Sequence, residues 1–432
     1  MSKLAQLATL ALAAALPLTA QKAPSRKMPS DPAQVHRSAI VIDTHADTTQ
    51  RMLDDHYDLA SPLGDGNLNF DAARQGNLGA EFFSIWVEPD LYKDHYARRT
   101  LELIDAVDQA ALAHPDRMLL ATTPADIERA HREHKLAALK GIEGGHSIEN
   151  SLGLLREYYR LGVRYMTLTW SNSNDWADSS GDAKDDKIPH TKDGLSDFGK
   201  DVVFEMNKLG MMVDISHVSD RTFYRAVITS RAPVFASHSS ARALCDAPRN
   251  MTDDMLRAVA RSGGPESQGG VVMVNFYSAF LSQAYRDAAA HQEPEVKAAT
   301  AALKADYAKQ GKQVTYGDLE KLQRQYADKI PRPPLSVLID HIDHIAKVAG
   351  VDHVGLGSDF DGVSGQLPQG IDSAADLPRI TAALMARGYS PADCNKILGG
   401  NFLRFFREVE ATSKQLQSQQ RPRIDAAQPF NK

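Results

Sequence analysis

The chain has 432 residues, 43% hydrophobic and 24% charged, with a formal net charge of −6. That balance fits a globular protein with a substantial core and excludes the clustered basic surface that nucleic-acid binding relies on. Two cysteines, Cys245 and Cys394, are too few for a disulfide framework and read as buried apolar thiols.

Residues 1–20 have the form of a secretory signal: Lys3 gives a basic start, Leu4 to Leu16 is rich in Ala and Leu, and Leu18-Thr19-Ala20 ends in a small residue suited to cleavage. The expected location is therefore periplasmic or secreted. No later run approaches the ~20 apolar residues of a spanning helix, so no stable membrane anchor is expected. Residues 21–35, with prolines and charges, read as a flexible lead-in to a single domain at 36–411.

Eight strand-like runs follow: 39–44, 82–87, 136–142, 164–169, 212–216, 234–237, 271–276 and 353–358. Helix-like segments separate most of them, as at Arg98 to Ala113, Ser151 to Leu161, Ser196 to Leu209, Asp220 to Ser230 and Thr252 to Ala260. Gly162 and Gly210 stand where left-handed helix exits belong. Eight alternating strand and helix units predict a closed (β/α)8 barrel of the TIM type. Two stretches break the rhythm. Residues 174–194 form a polar loop after the fourth run, and 284–334 read as a helical insertion over or beside the barrel mouth, between the seventh and eighth. The tail from residue 412, rich in Gln and Pro, reads as disordered.

His45, Asp47, Glu143, His217 and His238 each stand at the downstream end of one of these apolar runs. A barrel gathers its strand ends at one mouth, so these residues are predicted to meet. His-x-Asp occurs four times, at His45, His56, His114 and His341, but only His45-Ala46-Asp47 directly follows a β-branched run. A carboxylate can give one oxygen to each of two ions, so Glu143 is the natural bridge. His45 and Asp47 complete one site, and His217 and His238 the other. Such ligation favours zinc and admits manganese, cobalt or iron. Asp359 is placed to move protons at the mouth, with Asp361 as the competing choice. Arg249 can clamp a carboxylate.

Ile42-Asp43-Thr44-His45-Ala46-Asp47, Gly141-Ile142-Glu143-Gly144-Gly145-His146, Asp214-Ile215-Ser216-His217, Ser237-His238-Ser239-Ser240 and Gly357-Ser358-Asp359-Phe360-Asp361-Gly362 together resemble the membrane (renal) dipeptidase family of zinc peptidases, over residues 36–410. The resemblance implies two zinc ions per chain held by the five ligands above, Asp359 as acid/base, and Arg249 as binder of the dipeptide carboxylate. It implies an exported dizinc dipeptidase using a hydroxide that bridges the ions, acting on dipeptides that include those with a C-terminal D-residue, and is compatible with a homodimer. Three departures stand out. Trp170 occupies the position of an intermediate-binding His of animal members, Gln283 stands where the disulfide partner of Cys245 is expected, and those members lack a counterpart of 284–334. A related dizinc amidase, lactonase or β-lactam hydrolase, or a non-catalytic metal-binding homologue, therefore stays open.

Overall fold

The computed structural model describes residues 31–182, 190, 191 and 193–419; the signal read at 1–20 lies outside them. Among the described residues there are nine strands: β1 (Val41–Ala46), β2 (Leu78–Trp86), β3 (Met118–Leu120), β4 (Leu136–Glu143), β5 (Val163–Thr167), β6 (Met212–Asp214), β7 (Phe235–Ala236), β8 (Val271–Val274) and β9 (Val354–Leu356). All pairings between them are parallel. The ladder runs β2-β1-β9-β8-β7-β6-β5-β4, and a seven-residue register from Ala80–Ala137 to Trp86–Glu143 joins β2 to β4 and closes the ring.

Each ring strand corresponds to one of the eight runs in the sequence. β3 was not foreseen. It is a three-residue strand outside the ring, pairing with the first residues of β4 below the point where β5 takes over. Its short apolar stretch, Met118-Leu119-Leu120, carries no period to distinguish it from a loop.

Side chains inside the ring follow the period of two. Ala80 and Phe82 of β2, Ala137 and Leu139 of β4, Tyr165 of β5, Met212 of β6, Phe235 of β7, and Val271 and Met273 of β8 share one buried cluster. Continuing each series by two or four residues toward the strand end gives Trp86, Glu143, Thr167, Asp214, Ser237 and Asn275. The barrel is thus apolar below and polar at the mouth. Phe402, Phe405 and Phe406 join the same cluster from the helix Asn401–Gln419, and Phe402 lies edge-on to Phe82 at 5.3 Å.

Several helix starts fall one residue later than the sequence indicated, because Ser151, Ser196 and Thr252 are N-caps whose hydroxyls accept from the first-turn amides of Leu152–Arg160, Asp197–Leu209 and Asp253–Ala260. Gly162 and Gly210 have φ of 92° and 85°, as a left-handed exit requires.

The ends are more ordered than expected. The lead-in read as flexible to residue 35 is already helical at Pro32–Ser38. Asp31 caps this helix, Pro32 opens it, and the imidazole of the buried His36 bonds Thr381 Oγ1 and Gly76 O at 2.7 and 2.8 Å. The tail read as disordered from 412 continues as helix to Gln419, held where Ser413 Oγ donates to Lys208 O at 2.7 Å. In both cases tertiary anchoring outweighs a polar local composition.

The segment between β8 and β9 forms two long helices, Gln283–Lys309 and Tyr316–Ala327, ahead of Leu335–Ala349. The second begins with a capping box between Thr315 and Asp318 and contributes Tyr316, Leu319, Glu320 and Gln323 to the cavity at the mouth.

Candidate metal centre

The five residues singled out in the sequence converge at the mouth. His45 lies within β1 rather than past it, Glu143 is the last residue of β4, and His217 and His238 follow β6 and β7 by three and two residues. Glu143 sits between them. Its Oε1 lies 2.8 Å from His217 Nε2 and 3.5 Å from His238 Nε2, and its Oε2 lies 3.4 Å from His45 Nε2. Asp47 Oδ2 is 3.5 Å from the same His45 nitrogen. One carboxylate oxygen thus faces the His217 and His238 pair, and the other faces His45. The His45 and His238 rings also stack at 3.8 Å, and His45, Glu143 and His238 form one group able to hold an ion, His45, Asp47 and Asp359 another.

The donor set fits divalent cations on two further observations. His45 Nε2 and Asp47 Oδ1 are fully buried and have no hydrogen-bond partner, a costly condition unless a cation is their partner. His217 Nε2 and His238 Nε2 also approach to 2.9 Å, as two imidazoles do when aimed at one point. Burial acts against a charged His45, yet Tyr165, Glu143 and Asp47 outweigh it and raise its pKa well above the usual imidazole value. For His217, burial first and Arg249 second push the pKa down to about 4, so its ring is neutral and ready to ligate.

Residues below the mouth aim these ligands. Tyr165 Oη lies 2.9 Å from His45 Nδ1 and donates to Thr44 O at 3.1 Å. Ser237 Oγ lies 2.7 Å from His238 Nδ1 and donates to Asp214 Oδ2 at 2.6 Å. Asp214 also accepts from Thr167 Oγ1 and from the Ser216 and Ser237 amides. Such outer contacts fix ring orientation and tautomer.

Asp359 stands beside the cluster with φ of 65°, and His217 has φ of 66°; both are uncommon backbone states for residues with side chains. Asn275 Nδ2 donates to Asp359 Oδ2 at 2.8 Å. Burial first, then Asp47 and Glu143, push the Asp359 pKa up to about 7 against the opposing effect of His45. A Cβ at Gly362 would lie 2.1 Å from Asp47 Oδ2 and 2.7 Å from Asp359 Oδ1, so glycine is required there. Asp361, the competing choice, is committed elsewhere, accepting from Thr48 Oγ1 at 2.5 Å and the Asn67 amide at 2.7 Å, with Arg51 at 3.5 Å.

Arg249 is half-buried beside His238. Its Nη atoms donate to Ser239 Oγ and His238 O at 3.1 and 2.9 Å, while its Nε has no partner. Its guanidinium lies 5.3 Å from the Phe280 ring centroid. Asp47, Glu143, His217, Trp170, Phe280 and Asp359 line one cavity of about 270 Å³. The Trp170 indole forms its wall, 4.8 Å from Trp86 and 6.3 Å from His217.

The family model for membrane dipeptidase (peptidase family M19) matches residues 31–420. The chain belongs to the membrane dipeptidase family. Dipeptidase 3 of Mus musculus is 34% identical over 345 residues, covering 80% of this chain and 58% of its own length; the chain spans little more than half of that relative. Dipeptidase 3 of Homo sapiens is 31% identical, covering 89% and 68%. The crystal structure of the probable dipeptidase PvdM from Pseudomonas aeruginosa superposes with a TM-score of 0.70 at 26% identity, covering 88% of this chain and 98% of that one. A metallo peptidase from Rhodobacter sphaeroides, liganded with a phosphinate mimic of L-Ala-D-Ala, shares the fold with a TM-score of 0.66 at 24% identity, covering 86% and 99%.

Within this membrane dipeptidase fold, sequence reading missed the supporting residues Tyr165, Asp214 and Asn275. Their signal is a polar side chain interrupting an apolar strand run. It also missed Trp86 and Glu320 in the cavity wall, which carry no local signal. Cys245 and Cys394 are both buried and unpaired. Among the described residues no helix is long and apolar enough to cross a membrane.

Proposed function

We propose that this chain is an exported dizinc dipeptidase, hydrolysing the single peptide bond of dipeptides, including those with a C-terminal D-residue. The observation that carries the reading is the Glu143 carboxylate set among three imidazoles, with Asp359 lining the same cavity as Glu143 and His217, and the Arg249 guanidinium bonded to His238 O. His45 and Asp47 would hold one cation, His217 and His238 the other, with Glu143 shared; imidazole with carboxylate suits zinc. When bound, the cations supply Lewis acidity toward a peptide carbonyl and toward water. The chain's own groups do the rest. Asp359 takes a proton from the attacking water and returns it to the departing amine, a role suited to a carboxyl that lines the cavity beside Asp47 and Glu143. Arg249 offers its unpartnered Nε–H to the terminal carboxylate, whose arrival would satisfy a buried donor that otherwise costs ~1–3 kcal/mol. The N-terminal run at 1–20 supports export.

The test is turnover of a dipeptide panel, with L- and D-residues at the C-terminus, by the mature protein before and after chelation. Hydrolysis that disappears with chelator and returns with zinc is expected; no turnover of any dipeptide by metal-loaded protein defeats the proposal. N-acyl amino acids and lactones in the same panel address the second reading, a related amidase or lactonase. That reading is favoured by Trp170, whose indole cannot titrate or carry charge beside the centre.

Arg249→Lys is expected to raise KM for dipeptides about 10- to 100-fold with a smaller change in kcat, since hydrogen bonds to charged groups are worth ~1.5–3 kcal/mol. Dipeptide amides, which lack the carboxylate, should be insensitive to the change; equal losses for acid and amide would remove Arg249 from this role.

A further inference from the structure

We infer that the helix Tyr316–Ala327 supplies an ammonium subsite, with Glu320 as its anion and Trp86, Trp170 and Tyr316 as its walls, that restricts the centre to substrates with a free N-terminal amine. The inference rests on the dipeptide reading and extends it to the other end of the substrate.

A dipeptide carries opposite charges at its two ends, no more than ~7 Å apart for two extended residues. Arg249 can receive only the anionic end. Asp47 and Glu143 are committed to the metals and Asp359 to proton transfer. Two carboxylates in the cavity lining then remain without a task, Glu88 and Glu320. Glu88 turns one oxygen to the Leu91 amide and so stabilises its own loop. Glu320 is different. Its Oε1 accepts from Tyr316 Oη at 3.1 Å, and it makes no ion pair with any described Lys or Arg. Ser364 hydrogen-bonds the same carboxylate, so its partners are two neutral hydroxyls, and burial raises its pKa to about 7 against them. A half-buried carboxylate beside other carboxylates, with no cation paired to it, is stabilised when a cation arrives, and a substrate ammonium is that cation.

The walls suit the same ligand. The Tyr316 ring packs edge-on against Trp86 at 5.2 Å, and Trp86 packs against Trp170 at 4.8 Å, so aromatic rings crowd the mouth around Glu320. Aromatic faces attract ammonium groups, most strongly where water is excluded. Tyr316 and Glu320 come from the helical segment between β8 and β9, not from the strand ends that bear the metal-type residues. Specificity for the amine is thereby separable from the chemistry, and Trp170 is a wall of the subsite.

Glu320→Gln tests this, because glutamine keeps the shape and can still accept from Tyr316 while losing the charge. The measured quantity is the ratio of kcat/KM for Ala-Ala to that for N-acetyl-Ala-Ala on zinc-loaded enzyme. The parent is expected to favour the free amine by about 100-fold, and Glu320→Gln to lower that ratio about tenfold or more through KM, with zinc content and melting temperature unchanged. An unchanged ratio overturns the inference. A second arm does not need turnover: calorimetric binding of the same two compounds to zinc-loaded Asp359→Asn protein, with and without Glu320→Gln. A preference for Ala-Ala that Glu320→Gln abolishes supports the subsite even if the parent hydrolyses no dipeptide. The same preference in both proteins, or none in either, overturns it.

Discussion

On the proposed reading of two ions per chain, Glu143→Gln is expected to reduce bound divalent ions to fewer than one and to abolish dipeptide hydrolysis. Among the described residues Glu143 is the only carboxylate whose two oxygens face different imidazoles, Oε1 toward His217 and His238 and Oε2 toward His45. It is buried at 4% exposure. Burial alone would protonate it, but His45 together with hydrogen bonds from His217 and His238 holds its pKa well below the usual carboxylate value. The glutamine amide replaces one oxygen with a group that donates and cannot ligate, so one half of the centre meets N–H where it needs an anion. Changes in the outer contacts of metal sites already cost ~10–100-fold in affinity or activity, so loss of the shared ligand should cost ~10³-fold or more. Elemental analysis and dipeptide turnover check this together. Thermal melting adds an independent readout. Ions that bind only the folded chain stabilise it by ~2.7 kcal/mol at a hundredfold excess over Kd, so chelator should lower the parent's Tm and leave the variant's almost unmoved. A variant retaining both ions would remove Glu143 from the bridge.

How much of this was legible in the sequence follows from which signals are local. The eight ring strands and the five metal-type residues could be read because each apolar run ends in the residue that matters, and the barrel topology does the gathering. Boundaries shifted where caps were counted as helix, at Ser151, Ser196 and Thr252. β3 escaped because three apolar residues have no period. The ordered ends escaped because the order is tertiary: Ser413 is fixed by Lys208 O and His36 by Gly76 O, partners 205 and 40 residues away in the chain. The cavity wall was the least legible. Glu320 lies in a segment whose charged, Ala-rich composition marks only a helix; its meaning comes from lining one cavity with Asp47 and Trp86, which no pattern near residue 320 encodes.

The carboxyl of Asp359 offers the cleaner separation of chemistry from architecture, and Asp359→Asn is expected to lower kcat by ~10²–10⁴-fold, the usual weight of a positioned general acid or base. Three features keep the substitution from acting through the fold. Asparagine tolerates the left-handed backbone that Asp359 adopts at φ of 65°. It fills the same space beside Gly362. It can still accept the 2.8 Å hydrogen bond from Asn275 Nδ2 through its remaining oxygen. KM, melting temperature and bound metal should therefore stay near the parent's values. Metal content is the decisive control, because Asp359 lies close enough to His45 and Asp47 for the three to hold an ion together. A variant that sheds metal would make Asp359 a ligand and sink its proton-transfer role. The pH profile gives a second discrimination. Burial raises the Asp359 pKa to about 7, and bound cations pull it lower, so the parent should lose activity as pH falls through that shifted value and the carboxylate becomes protonated. The residual activity of Asp359→Asn should lack this acidic limb. Asp361→Asn supplies the contrast two residues away: that carboxylate is bound by Thr48, Asn67 and Arg51, so its loss should lower Tm while leaving the pH profile of the surviving enzyme intact. If the two variants exchanged these phenotypes, the proton would belong to Asp361 and the assignment would reverse.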